Sequence, residues 1–99
     1  MSKFLVTYHG GPPPDASQMG EIKAAFGAWL QSAGKAVTDP GAPLRNVGQV
    51  ANGAPEPKVA IGGYSIVEAA DTKAALAILK SHPFVARGGT LQVDEVLEI

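Results

Sequence analysis

The last third of this chain, from Gly62 onward, constrains the fold most, because it reads as strand, helix, strand without interruption. From Ile61 to Ala69 the residues suit a strand, with Tyr64 and Ile66 on one face and Ser65 and Val67 on the other. Asp71 is placed to cap a following helix whose inward residues include Ala75, Leu76 and Leu79. Pro83 stops that helix, since the residue before a proline is pushed out of the α region. Gly88-Gly89 then turns the chain into a closing strand from Thr90 to about Leu97. Leu91 and Val93 alternate cleanly, whereas Val96 falls out of phase, which predicts a bulge near Asp94-Glu95.

The first half supplies a matching unit. Phe4-Leu5-Val6-Thr7-Tyr8 is β-branched and aromatic and apolar on both faces, so both faces of that strand need cover. Gly10-Gly11-Pro12-Pro13-Pro14 ends it. Asp15 and Gln18 have capping-box spacing, and Met19, Ile22, Phe26, Trp29, Leu30 and Ala33 follow as an amphipathic stripe closed by Gly34. Lys35 to Thr38 reads as a short strand ended by Asp39-Pro40-Gly41. Periodicity is poor from Ala42 to Pro57, although Asn46 to Val50 is a candidate edge strand closing at Asn52-Gly53. The sum is a ferredoxin-like α+β unit, βαββαβ, with an antiparallel sheet and two helices on one face. Its second sheet face is also apolar, and a second copy of the chain packed sheet to sheet is the expected cover.

Composition excludes several classes of function. Ninety-nine residues imply one domain, spanning 1–99, with little room for a large internal cavity in one subunit. The net charge is −1 and the eight Lys and Arg are scattered singly, which argues against nucleic acid as partner. The absence of cysteine removes disulfides, thiolate nucleophiles and Cys-ligated zinc. No apolar run reaches the length of a membrane span, and no signal-peptide pattern precedes the first strand, so a cytoplasmic location is expected.

Gly63-Tyr64-Ser65-Ile66-Val67-Glu68-Ala69, the Asp-capped Ala/Leu helix, His82-Pro83-Phe84 and Gly88-Gly89-Thr90-Leu91-Gln92-Val93 together resemble the YCII-related (DGPF-domain) family. The likeness is best over residues 45–99, and Lys3-Phe4-Leu5-Val6 fits that family's first strand. It implies a dimeric α/β barrel. The family's Asp-Gly-Pro-Phe signature falls by position on Asn52-Gly53-Ala54-Pro55, and its helix histidine has no counterpart, since residues 16–33 contain none. By resemblance, then, the chain is a small-molecule binding or regulatory module. The alternative is a cofactor-independent isomerase, lyase or monooxygenase acting on a small aromatic or lactone-like substrate.

Few side chains can carry chemistry. His82 at the helix exit is a candidate general base or substrate contact, but capping the last carbonyls of the second helix is the commoner role. His9 follows the first strand and points away from Tyr8, toward the face where a dimer cleft would lie. Asp39 can orient an imidazole, or simply accept a hydrogen bond within an Asp-Pro-Gly turn. These three are the catalytic candidates. Tyr8, Tyr64 and Trp29 are candidate ligand contacts, with core packing the commoner fate of Trp29 at helical spacing with Phe26 and Leu30. Two histidines outside HxH or HxxxH spacing point to no metal, and the glycine pairs lack phosphate-loop spacing, so no cofactor is expected.

Overall fold

The computed structural model of the protein describes residues 1–13 and 15–99; Pro14, the third of the prolines expected to end the first strand, lies outside them. Strand β1 (Ser2–Gly10) is followed by a 3₁₀ turn (Ala16–Gln18) and helix α1 (Met19–Ala33). Strand β2 spans Val37–Pro43 and β3 spans Gly63–Ala69. Helix α2 (Thr72–Leu79), a short helix α3 (Pro83–Ala86) and strand β4 (Gly89–Glu95) complete the chain. The strands pair antiparallel throughout in the order β2-β3-β1-β4. This is the ferredoxin-like α+β arrangement, and its thinnest axis of 18 Å accommodates one sheet and one helical layer.

Alternation decides which residues meet the helices. Phe4 and Val6 on β1 and Val67 and Ala69 on β3 turn inward, joining Trp29 of α1 and Ala75 and Leu79 of α2 in the buried core. Ser65 lies on that same inward face and is fully buried. Tyr64, Ile66, Leu5 and His9 are half-buried on the opposite face. The capping box is present as expected, with Asp15 accepting from the Ser17 N–H and the Gln18 side chain accepting from the Asp15 N–H. Asp71 caps α2 by accepting from the Ala74 N–H at 2.8 Å.

Several expectations are overturned. Asp39-Pro40-Gly41 does not end β2; the strand runs through it, with register shifts between Val37 and Asp39 and between Asp39 and Ala42. A proline is tolerated there because β2 is an edge strand, and the bulged residues leave the ladder locally. Gly41 has φ +75 and lies so close to the Tyr64 carbonyl that no Cβ fits. The segment 35–36 is a 3₁₀ turn rather than strand, and no strand forms at 46–50, where the chain runs irregularly and exposed. Ile61 and Gly62 precede β3 instead of opening it.

At the other end of the sheet, β1 and β4 pair without a register shift from Phe4↔Glu95 to Gly10↔Gly89, so the expected bulge at Asp94-Glu95 is absent. Val96 is out of phase because the strand has ended, and its N–H still donates to the Lys3 carbonyl at 2.8 Å. Leu76 and Met19 are exposed, Leu76 on the flank of the α2 apolar stripe and Met19 as the first residue of α1. Pro83 does more than limit α2. It opens α3 at the first helical position, where a missing N–H costs nothing and the fixed φ suits a helix.

Candidate functional site

The site is built around His82, whose residue is 2% exposed. Its backbone N–H donates to the Leu79 carbonyl as α2 ends. Its side chain does not cap α2, contrary to the commoner role expected. Nδ1 instead accepts from the Phe84 N–H at 3.0 Å, making His82 the N-cap of α3. The physical reason is the proline: with no N–H on Pro83, the first donor left open in α3 belongs to Phe84. Tyr8, Phe26 and Trp29 enclose the imidazole, with ring centroids 5.1, 5.6 and 4.4 Å away.

From His82 a hydrogen-bond chain crosses the inner sheet face. His82 Nε2 meets Tyr8 Oη at 2.8 Å, Tyr8 Oη meets Ser65 Oγ at 2.8 Å, and Ser65 Oγ–H donates to the Pro40 carbonyl at 2.8 Å. The β2 bulge aims that carbonyl inward. Burial, helped by the positive charge of Arg87, lowers the His82 pKa from 6.5 to about 4, so the ring is neutral at neutral pH. Burial also raises the Tyr8 pKa, opposed in part by Ser65, and keeps the phenol protonated.

A cavity of about 490 Å³ opens above Tyr8 and His82, between the sheet, α1 and α3. Its apolar walls include Ile22, Phe26, Pro40 and Phe84, while the exposed Lys23 and Arg87 stand at its mouth. Arg87 lies over the Phe84 ring at 5.6 Å. Phe84 in turn fits against Gly89, where any Cβ would strike the ring.

The structure brings together only some of the residues singled out from sequence. Tyr8 and His82 share the cavity, and Tyr64 lines its edge. Trp29 packs behind His82 and donates from Nε1 to the Ile78 carbonyl, away from the cavity. His9 is on the other face of the sheet, its Nδ1–H donating to the Ala60 carbonyl and its Nε2 2.7 Å from Thr7 Oγ1. Asp39 accepts from the Gly41 N–H at 2.8 Å, and neither histidine is hydrogen-bonded to it. Among the described residues, no group of three His, Asp or Glu side chains is placed to hold a metal ion. Ser65, Lys23 and Arg87 belong to the site and are not among the candidates that the sequence offers. A serine on the buried face of β3 was a signal, since a buried hydroxyl requires a partner.

The family model of the YCII-related domain matches residues 5–99. The chain belongs to the YCII-related family. Its resemblance to that family extends through the first helix and β2 as well as the last half of the chain. Among solved structures, this YCII-related chain is similar to 5-chloro-2-hydroxyhydroquinone dehydrochlorinase from Burkholderia phenoliruptrix AC1100, in its complex with 2,5-dihydroxybenzoquinone. The TM-score is 0.62 at 20% identity, over 98% of this chain and 95% of the other, a likeness of fold. No curated protein matches the chain in sequence. No helix of the described residues is long and apolar enough to cross a membrane.

Proposed function

We propose that this YCII-related chain is a small-molecule binding or regulatory module that takes a flat ligand into the cavity above Tyr8 and His82. One observation carries the reading: the polar groups at the cavity floor are paired with one another, beneath walls that are mostly apolar. Such a site holds shape and orientation. It holds no ready proton acceptor for a substrate, because Nδ1 of His82 is occupied and Tyr8 stays protonated. The exposed Lys23 and Arg87 favour a ligand with negative charge at the mouth.

A second reading, a cofactor-independent isomerase, lyase or monooxygenase for small aromatic or lactone-like substrates, is favoured by the opening of the Tyr8–His82 pair onto the cavity. The fold likeness to a dehydrochlorinase supports it more weakly. Amide NMR with millimolar 2,5-dihydroxybenzoquinone or 4-hydroxybenzoate separates the two. Binding predicts shifts at Gly11, Gly63 and Phe84 with the probe recovered unchanged. Conversion of the probe supports the enzyme, and shifts absent or confined to the open sheet face sink the cavity altogether.

We also infer that a second copy covers the open face of the sheet. Leu5, Ile66 and Tyr64 are half-buried there, and Val47, Val50 and Val59 stand exposed in the loop joining β2 to β3. A second copy packed on that face would take Leu5, Ile66 and Tyr64 out of water.

A further inference from the structure

The hydrogen-bond chain beneath the cavity has a direction, and a main-chain group sets it at each end. The Phe84 N–H can only donate, so His82 Nδ1 accepts and the single ring proton sits on Nε2. That proton is donated to Tyr8 Oη at 2.8 Å. At the far end the Pro40 carbonyl can only accept, so Ser65 spends its proton there and its oxygen takes the proton of Tyr8. Neither end can reverse, because neither an amide N–H nor a carbonyl exchanges its role. Tyr8 therefore receives one hydrogen bond, gives away its only proton and retains one lone pair. Tyr8 lines the cavity, and toward any group that reaches it there the hydroxyl can accept a hydrogen bond but not donate one.

The mouth makes the opposite demand. Lys23 and Arg87 carry only donors and positive charge. Between floor and mouth the walls are Ile22, Phe26 and Phe84.

We propose that the cavity selects a two-ended ligand, a hydroxylated aromatic acid whose protonated hydroxyl donates to Tyr8 and whose anionic group faces Lys23 and Arg87. The proposal rests on the binding reading above and adds the ligand's polarity to it. An anion or a bare acceptor placed on Tyr8 would meet a lone pair and lose its own water without compensation. Ser65 thereby acts as a specificity-determining residue that never touches the ligand.

Calorimetry on the full chain tests this with 4-hydroxybenzoate, its acceptor-only isostere 4-fluorobenzoate, and the uncharged 4-hydroxybenzyl alcohol. The hydroxy acid should bind about tenfold more tightly than either of the others, the worth of one hydrogen bond or one charge contact. Ser65→Ala releases the Tyr8 proton, so the gap between the hydroxy and fluoro acids should shrink to about threefold or less, whereas Lys23→Ala should weaken both equally. Equal affinity of the hydroxy and fluoro acids for the unmodified chain overturns the proposal and leaves the binding reading standing. No heat from any of the three at millimolar concentration overturns the binding reading and this one with it. Nitrogen-15 spectra of the His82 ring check the direction without a ligand or a variant: a proton on Nε2 is expected, and a proton on Nδ1 would reverse the chain.

Discussion

At the scale of single residues, His82 joins stability to the site. Its imidazole is neutral in the fold because burial and Arg87 hold the pKa near 4, below the ordinary 6.5 of an unfolded chain. Between those two values the unfolded chain binds the proton and the fold does not, so stability is lost as pH falls from about 6.5 toward 4. The loss should be on the order of 2 kcal/mol, with the full 1.4 kcal/mol per pH unit discounted because the Tyr8 side opens to the cavity. Urea unfolding at pH 7 and pH 4.5 measures it, and His82→Gln should flatten the dependence; an unchanged slope in that variant would contradict the assignment. The sequence marks His82 and Tyr8 as polar groups worth following, and the fold hydrogen-bonds the two to each other. It gave no route to their connection through Ser65, because Tyr8 and Ser65 lie 57 positions apart and meet only through the β1–β3 register. His82 departs from the expected α2 cap for a local reason: its side chain serves the helix it begins, and the signal is the proline that follows it.

At the scale of elements, β2 shows where local grammar and sheet context part. Asp-Pro-Gly forms the expected local bond, Asp39 to the Gly41 N–H, yet the chain continues as an edge strand around it. The edge position admits the proline, and the bulge turns the Pro40 carbonyl onto Ser65. Gly41→Ala meets both a positive φ and the Tyr64 backbone, so it should cost at least about 2 kcal/mol and loosen the Ser65 end of the chain. Asp15→Ala should cost only about 1 kcal/mol, since it removes a cap and leaves the sheet alone. Thermal unfolding of the two variants ranks them, and the reverse order would contradict the reading of β2. The capping box was legible because all its parts lie within four residues. The bulge was not, because it depends on which strand occupies the edge.

At the scale of the whole molecule, the ferredoxin-like topology was legible from alternation and punctuation, whereas the run between β2 and β3 was not. That run has no periodicity to read and no regular structure in the fold, and it displays Val47, Val50 and Val59 to solvent. With Leu5 and Ile66 on the open sheet face, it predicts association. Sedimentation should give a dimer at micromolar concentration, and a stable monomer would remove the proposed partner face. The cavity depends on the same global arrangement, since β1, β2, β3, α1 and α3 all contribute walls. A crystal of the protein soaked with 4-hydroxybenzoate tests the account most directly. It should show the phenol hydroxyl within hydrogen-bond distance of Tyr8 Oη and the carboxylate toward Lys23 and Arg87; a carboxylate seated on Tyr8, or a ligand bound only on the open sheet face, would contradict it.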